Sequence, residues 1–360
     1  MIDAVTRAVR RVPPAWAVVA GIAVIVVAAG LTAGLAALGG PSPSPTPTAP
    51  VETPAASPTV ASSLAPGASA ASVGPVTSTV PAGWQPTFPI RAAFYYPWYP
   101  EAWKQQGLDP FTRYHPSLGF YDSSSSSVIS EQIAAMQYGN ISVGIASWWG
   151  QGTRTDVRLP AILAATGEAA FRWAVYYEPE GQGDPTPQQI RDDLTYIAAH
   201  YASDPAYLRV DGRFVVFAYA NSGETCAMAD RWAEANTVGA YVVLKVFNGF
   251  RTCQHQPDGW HQYGPAAADS SQRGYSYTIS PGFAKATEAS PRLARDVERW
   301  TASVASMVAS DAPWQLVTTF NEWGEGTSVE SASEWQSASG FGTYLDALHA
   351  RGPAGIAPVH

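Results

Sequence analysis

From about Trp84 onward, apolar segments of strand length alternate with amphipathic segments of helix length, and this rhythm constrains the fold most strongly. Buried apolar strands joined by helical crossovers are typical of parallel sheets. The expected strands are 91–99, 141–150, 171–181, 214–221, 241–250, 259–264, 276–283 and 316–320. The expected helices are 123–139, 157–170, 187–202, 226–236, 291–309 and 341–351. Eight strands in about 270 residues predict an α/β fold, a (β/α)8 TIM barrel, whose usual size is ~250 residues.

An open, doubly wound sheet is the alternative architecture. It is disfavoured because no glycine-rich phosphate loop follows the first expected strand. The sixth strand, 259–264, is the weakest part of the barrel prediction, since it is brief and no clear helix follows it.

The N-terminal part of the chain predicts a membrane anchor and a spacer. Residues 1–14 carry three arginines and one acid, whereas residues 15–38 carry no charge and exceed the ~20 residues that span a bilayer. We therefore expect a cytoplasmic N-terminus over 1–14, a transmembrane signal anchor over 15–38 and an extracellular remainder. A cleaved signal peptide, and hence a secreted protein, is the alternative. Residues 39–83, rich in Pro, Ser, Thr and Ala, predict a disordered linker before a globular domain over 84–360.

Composition narrows the possible ligands of that domain. The chain has 360 residues and a formal net charge of −8, which argues against a nucleic-acid partner because such a partner requires a basic surface. Its 13 Trp and 17 Tyr are many. Rings in such numbers either fill a core or bind flat, partly apolar ligands such as sugars.

The stretch 316–330, LVTTFNEWGEGTSVE, places two carboxylates directly after the eighth expected strand. Glu322 and Glu325 flank Trp323, and glycines allow a tight turn around the second carboxylate. An unpaired carboxylate is costly to bury in a core, whereas the carboxyl ends of barrel strands form active sites. We therefore predict that Glu322 and Glu325 are catalytic. Glu330, beyond the turn, is expected to face solvent or to cap a helix.

The other strand ends supply aromatic rings, amides and a further acid to the same rim. Such groups suit a sugar, which offers C–H faces to rings and hydroxyls to polar side chains. The expected substrate-binding residues are Tyr96, Trp98, Tyr99, Trp148, Trp149, Glu178, Tyr263, Asn321 and Trp323. Strand alternation also allows a core role for one of each neighbouring pair, such as Trp148 and Trp149.

Enzymes that hydrolyse a glycosidic bond usually use a pair of carboxylates as catalytic groups. One protonates the leaving oxygen, and the other acts as base or nucleophile. The distance between them separates retention from inversion, and sequence spacing leaves both outcomes open. An acid that works near neutral pH needs a raised pKa, which a pocket lined by rings such as Trp323 can supply.

Five segments together resemble glycoside hydrolase family 99, the endo-α-mannosidase and endo-α-mannanase family with its bacterial relatives. They are AFYYPWY, SWWG, YYEPE, ISPGF and FNEWGEGTSVE, which begin at residues 93, 147, 176, 279 and 320. The resemblance implies a (β/α)8 barrel that cleaves internal α-mannosidic bonds with retention and without a metal or other cofactor. It also implies that Glu322 is a base on the substrate's 2-hydroxyl, giving a 1,2-anhydro sugar, and that Glu325 is the acid/base. Gly324 departs from the pattern, because better-known members carry His there.

The two cysteines, Cys226 and Cys253, follow the fourth and fifth expected strands. Outside the membrane we expect them to form a disulfide that braces two loops of the site. Two cysteines and scattered histidines do not suggest a metal site.

The leading hypothesis is an extracytoplasmic, monomeric glycoside hydrolase that acts on an α-mannan or related glycan. An inverting endo-α-glucanase on the same barrel is one alternative. A non-catalytic carbohydrate-binding module at the cell surface is another.

Overall fold

The computed structural model of the protein describes residues 81 and 83–352. The strands are β1 Ile90–Tyr95, β2 Val143–Trp148, β3 Arg172–Tyr177, β4 Arg209–Val210, β5 Arg213–Ala218, β6 Tyr241–Lys245, β7 Gly259–His261, β8 Asp269–Gln272, β9 Ser276–Ile279 and β10 Trp314–Val317. The helices are α1 Ser126–Tyr138, α2 Arg154–Thr166, α3 Glu180–Gly183, α4 Pro187–His200, α5 Cys226–Ala235, α6 Val297–Ala309 and α7 Thr343–His349.

The expected anchor, 15–38, and nearly all of the expected linker lie outside the described residues. Within the described part of the chain, no helix is both long and apolar enough to cross a membrane.

Eight parallel strands form the body of one sheet, in the order β7-β6-β5-β3-β2-β1-β10-β9. The short strands β4 and β8 pair antiparallel with β5 and β9. At the two ends of this order, the Thr278 hydroxyl of β9 donates a hydrogen bond of 2.6 Å to the carbonyl of Gln262, directly after β7. The sheet is therefore nearly closed, and the predicted α/β barrel-like architecture is confirmed.

The eight parallel strands are buried on both faces, as expected of a parallel sheet covered by helices. Inside the sheet, Phe94 packs against Tyr176, Phe217 and Tyr263 with ring-centroid distances of 4.7, 6.5 and 5.1 Å. Its neighbour Tyr95 points to the outer face and packs with the helices. The strand period of two thus divides the aromatic residues between an inner core and an outer layer.

The structure corrects several element predictions. The strand expected over 171–181 ends at Tyr177, and the last two residues of that range belong to α3. The helix expected over 291–309 begins only at Val297, where the Asp296 side chain caps it by accepting a 2.8 Å bond from the Arg299 amide. The preceding residues instead pair with Phe283, whose amide donates to the Leu293 carbonyl at 2.8 Å. Strands β4 and β8 were not expected, because one has only two residues and the other, DSSQ, is polar and partly exposed.

The predicted disulfide is confirmed. Cys226, the first residue of α5, is bonded to Cys253, and their Cα atoms are 5.2 Å apart. The bond links the segments that follow β5 and β6.

Candidate active site

Glu322 and Glu325 lie in the turn that follows β10, where Trp323–Glu325 forms a single 3₁₀ turn. Gly326 ends this turn with φ +64°, a left-handed conformation that favours glycine. A Cβ atom there would also lie 2.6 Å from the Ala284 carbonyl oxygen. The glycine therefore allows the loop after β9 to pack directly on the turn that carries the carboxylates.

Asn321 ties the turn to the end of β1. Its amide oxygen accepts a 2.7 Å bond from the Tyr96 backbone, and its amide nitrogen donates to the Tyr96 carbonyl at 3.2 Å. The Tyr99 hydroxyl donates to the Asn321 carbonyl at 3.0 Å and accepts from the Trp323 amide at 3.1 Å. Asn321 and Tyr99 thus hold the turn through its backbone, which fixes the direction of both carboxylates.

A pair of phenols orients the Glu322 carboxylate. Tyr263 donates its hydroxyl to Glu322 Oε2, and Tyr96 donates to the Tyr263 hydroxyl at 2.8 Å. Burial raises the pKa of Glu322 well above its usual range, and the charge of Glu325 raises it further, while the Tyr263 hydrogen bond opposes both effects. Glu322 is therefore a carboxylate that takes up a proton readily.

Glu325 differs from Glu322 in having a cationic partner. Lys285 Nζ lies 3.1 Å from Glu325 Oε1. Burial raises the pKa of Glu325, whereas the charge and hydrogen bond of Lys285 lower it. Because two neighbouring carboxylates repel each other when both are ionised, Glu322 and Glu325 tend to hold one proton between them.

Glu178, directly after β3, is a third carboxylate of this site. Its Oε1 atom accepts a 2.8 Å bond from Ser147, whose hydroxyl accepts a 3.0 Å bond from Trp98 Nε1. Burial raises the pKa of Glu178 to about 8, the Ser147 bond lowers it, and the charge of Glu325 raises it. Trp98 also contacts Trp149, with ring centroids 6.2 Å apart. These contacts place Glu178 and its two tryptophan neighbours on the same rim as the catalytic candidates.

Three of the expected substrate-binding residues lie in the outer layer instead. Tyr99, Trp148 and Trp323 are at most 1 % exposed and pack among the helices. Trp148 donates its indole N–H to Asp156 at 2.7 Å, so this ring is a core residue. In each case the side chain that was expected to meet a sugar makes internal contacts.

The expectation that Glu330 faces solvent is wrong. Its side chain is buried and accepts hydrogen bonds from Tyr121 at 2.8 Å, Gln132 at 2.8 Å and the Trp323 indole at 3.2 Å. Burial raises its pKa to about 7, and the three donors oppose that rise. Glu330 therefore anchors Trp323 from the side away from solvent, a role that depends on partners distant in sequence.

Gly324, where the family pattern has His, lies against the ring of Phe111. A Cβ atom at Gly324 would be 2.5 Å from Phe111 Cε1. Phe111 is itself 9 % exposed. A ring contributed by the loop after β1 thus occupies the space into which a side chain at 324 would project, beside the turn that carries Glu322 and Glu325.

One carboxylate cluster among the described residues has the composition of a cation site: Glu180, Asp184 and Glu224. Arg231 already occupies it, because its Nη2 atom donates to all three carboxylates, at 3.4 Å to Asp184 and to Glu224. The guanidinium supplies the positive charge that a metal ion would otherwise bring.

Glycoside hydrolases are among the enzymes that place neighbouring carboxylates at the carboxyl ends of the strands of a barrel-like α/β sheet. Residues 97–246 match the sequence model of glycosyl hydrolase family 99. The turn with Glu322 and Glu325 lies beyond that matched segment. The predicted resemblance is nevertheless confirmed by this match: over residues 97–246 the chain is similar to the family 99 glycoside hydrolases.

Two curated proteins are also similar to the chain. The chain is 22 % identical over 296 residues to the glycoprotein endo-alpha-1,2-mannosidase of Rattus norvegicus, with 69 % of this chain and 62 % of the relative covered. It is 27 % identical over 121 residues to the enzyme of the same name from Mus musculus, covering 32 % and 26 % of the two chains. The chain therefore spans less than two thirds of the length of these relatives.

Solved structures show the same fold. The GH99 endo-alpha-mannosidase of Bacteroides thetaiotaomicron, in complex with bis-tris propane, superposes with a TM-score of 0.59 at 20 % identity. The alignment covers 74 % of this chain and 97 % of that one. A structure described as a glycoside hydrolase-like protein gives a TM-score of 0.53 at 14 % identity, covering 76 % and 97 %.

Proposed function

We propose that the protein is a retaining glycoside hydrolase that cleaves internal α-mannosidic, or closely similar α-glycosidic, bonds. The observation that carries this proposal is the pair of carboxylates Glu322 and Glu325, which lie in one turn and whose charges act on each other, with the Glu325 charge also acting on Glu178. The names of the rat and mouse relatives supply the expected linkage class.

The proposed reaction starts from the form in which the one proton of the pair lies on Glu325 and Glu322 is ionised. Because the pKa of Glu322 is raised more strongly than that of Glu325, this is the less populated of the two singly protonated forms. In the first step Glu322 takes the proton of the sugar's 2-hydroxyl, O2 bonds to the anomeric carbon, and the bond to the leaving oxygen breaks. Glu325 gives its proton to that oxygen. In the second step water attacks the anomeric carbon and the bond between that carbon and O2 breaks, while Glu325 takes a proton from the water and Glu322 returns its proton to O2. Two inversions at one carbon give net retention, and the Tyr263 hydroxyl keeps Glu322 oriented throughout.

We further propose that the sheet functions as a closed (β/α)8 barrel and that this domain acts outside the cell as a monomer. Residues 15–38 would anchor it in the membrane, with residues 1–14 cytoplasmic. A secreted form released by signal cleavage is the alternative. The disulfide between Cys226 and Cys253 supports an oxidising compartment, because such bonds are rare in the cytosol.

The test is incubation of the full-length chain with a panel of α-mannans and α-glucans, followed by product analysis. Glu322→Gln and Glu325→Gln should each reduce cleavage at least about 100-fold, since each removes a proton-transfer group. Glu298→Gln, an exposed acid in the first turn of α6, is the matched control and should cleave like the unaltered chain.

The anomeric form of the first product, read by NMR, separates the mechanisms. Retention with α-mannan cleavage supports the proposal. Inversion with cleavage of α-glucans alone would replace it with an endo-α-glucanase. Binding without cleavage across the panel would replace it with a carbohydrate-binding module.

A further inference from the structure

Lys285 is fixed against the catalytic turn by the backbone on both sides of it. The Ala284 amide donates to the Glu325 carbonyl at 2.9 Å, and the Ala286 amide donates to the Gly324 carbonyl at 3.0 Å. The Lys285 carbonyl in turn accepts a 2.7 Å bond from Arg113 Nε. The loop after β9 and the turn after β10 therefore form one short paired unit, with Lys285 at its centre.

The side chain of Lys285 is correspondingly well placed. Its Nζ atom is 3.1 Å from Glu325 Oε1, and the two side chains are only 16 % and 21 % exposed. The ammonium also lies over the Phe283 ring, 5.7 Å from its centroid. Exposed ion pairs contribute little because water and salt screen them and their side chains are mobile. This pair is mostly shielded from water, and its lysine backbone is held on both sides.

Other charged groups act on Glu325 from several elements. Glu322 on the same turn and Glu178 at the end of β3 are electrostatically coupled to it. From the loop after β9, Arg292 favours its ionised form and Glu288 opposes it, but these two also bond to each other, with 2.9 Å between Arg292 Nε and Glu288 Oε2.

Two phenols, Tyr263 and Tyr219, complete the titratable surroundings of Glu325. Lys285 is the cation in ion-pair contact with Glu325.

We propose that Lys285 is a positioning residue that sets the acid strength of Glu325 in the reaction described above. In the first step of the proposed reaction Glu325 loses its proton, and in the second step it must be ionised to accept one from water. A fixed cation at 3.1 Å stabilises the carboxylate that exists between the two steps. It thereby favours proton donation to the leaving oxygen and keeps Glu325 ready as a base. This inference rests on the proposed function, and its test includes a readout that does not need activity.

The first measurement is the pH profile of kcat/KM for the full-length chain and for Lys285→Met, Lys285→Gln and Lys285→Arg. Loss of the cation raises the proton affinity of Glu325, so the limb of the profile that Glu325 controls should move up by about 1 pH unit in the Met and Gln variants. The Arg variant should restore the original limb. Lys104→Met, which breaks an exposed pair with Asp109, should leave both limbs unchanged.

The direction of the effect also identifies the role of Glu325. An upward shift of the alkaline limb supports the inference with Glu325 as the acid. An upward shift of the acidic limb supports the inference but makes Glu325 the base, which overturns the assignment of roles above. Unmoved limbs in the Met and Gln variants overturn the inference.

The second measurement is a 13C NMR titration of glutamate carboxyl carbons in the same proteins, with the Glu325 signal assigned from Glu325→Gln. Its midpoint should rise in Lys285→Met and Lys285→Gln and return in Lys285→Arg. If the Glu325 midpoint is the same in the unaltered chain and in the Lys285 variants, the inference is overturned, whether or not any glycan is cleaved. A chain that cleaves no glycan but shows the expected titration overturns only the proposed function.

Discussion

At the scale of single residues, the sequence points to two candidate acids but says little about what surrounds them. Glu322 and Glu325 are candidates because two carboxylates directly after an apolar strand have little use in a core. Strand alternation placed one of Tyr95 and Tyr96 inside, and Tyr96 is the inner one. The sequence could not show whether Trp148 or Trp149 faces the site, because a parallel sheet is buried on both faces.

Glu330 shows why the partners of an acid escape prediction. Glu330 is separated in sequence by 209 residues from its partner Tyr121 and by 198 from Gln132, so no local sequence pattern predicts either hydrogen bond. An acidic side chain at the end of a polar turn is most often exposed. Only the packed structure makes this one a buried anchor.

Glu330→Gln should change how stability depends on pH. The folded pKa of Glu330, about 7, lies above the ordinary value of 4.5, so the folded state binds the proton more tightly. The penalty from the buried charge is therefore absent below about pH 4.5, grows as pH rises, and is complete above about pH 7, where it is on the order of 3 kcal/mol. The variant should lack this fall in the free energy of unfolding.

Denaturant unfolding between pH 4.5 and 8 measures the effect. The difference in unfolding free energy between the unaltered chain and Glu330→Gln should change between about pH 4.5 and 7 and level off above about pH 7. Glu298→Gln, an exposed control on α6, should give a constant difference. Parallel curves for Glu330→Gln would contradict the prediction.

At the scale of elements, long apolar strands and capped helices were predictable, whereas short or polar elements were not. Strand β4 has only two residues and β8 is polar and partly exposed, so neither has the apolar run that predicted the other strands, whereas β7 lies within the expected strand 259–264. The expected start of α6 was too early, because the residues before Asp296 pair with the loop after β9 instead of continuing the helix. A helix boundary set by tertiary contacts has no signature in local propensity.

Gly324, in the turn with Glu322 and Glu325, contacts Phe111 in the loop after β1. We therefore expect substitutions at these two positions to have non-additive effects on stability. Gly324→His alone should destabilise the fold by about 1–3 kcal/mol, because its side chain would overlap Phe111. In the double variant Phe111→Ala/Gly324→His, the total loss should be smaller than the sum of the two single losses, since the truncated ring leaves room for the imidazole.

Gly223→His is the matched control for this cycle. A Cβ atom there has no neighbour within 4 Å, so its effect should be small and should add to that of Phe111→Ala. Thermal and denaturant unfolding of the four proteins gives the coupling energy. Strict additivity for Gly324 and Phe111 would show that the ring moves aside without cost.

At the scale of the whole molecule, the alternation of strands and helices was sufficient to predict the barrel-like sheet. What it could not show is how the last strands meet, since a side-chain bond from Thr278 joins the ends where no regular strand ladder is formed. The loops at the carboxyl ends of the strands are therefore held together by individual covalent bonds and hydrogen bonds. The disulfide after β5 and β6 is one of them, and the paired loops around Lys285 are another.

Removal of the disulfide should lower global stability without removing the catalytic groups. Cys226 and Cys253 are 27 residues apart, and the cross-link restricts an unfolded loop of that length. Cys226→Ser/Cys253→Ser should therefore cost about 2–4 kcal/mol in free energy of unfolding. Denaturant unfolding measures this loss, and the unaltered chain under reducing conditions should unfold at the same midpoint as the variant.

Glycan cleavage per folded molecule should be retained, because both sulfurs lie apart from the contacts of Glu322 and Glu325. Loss of cleavage in a variant that is still folded would instead make the disulfide part of the site's architecture.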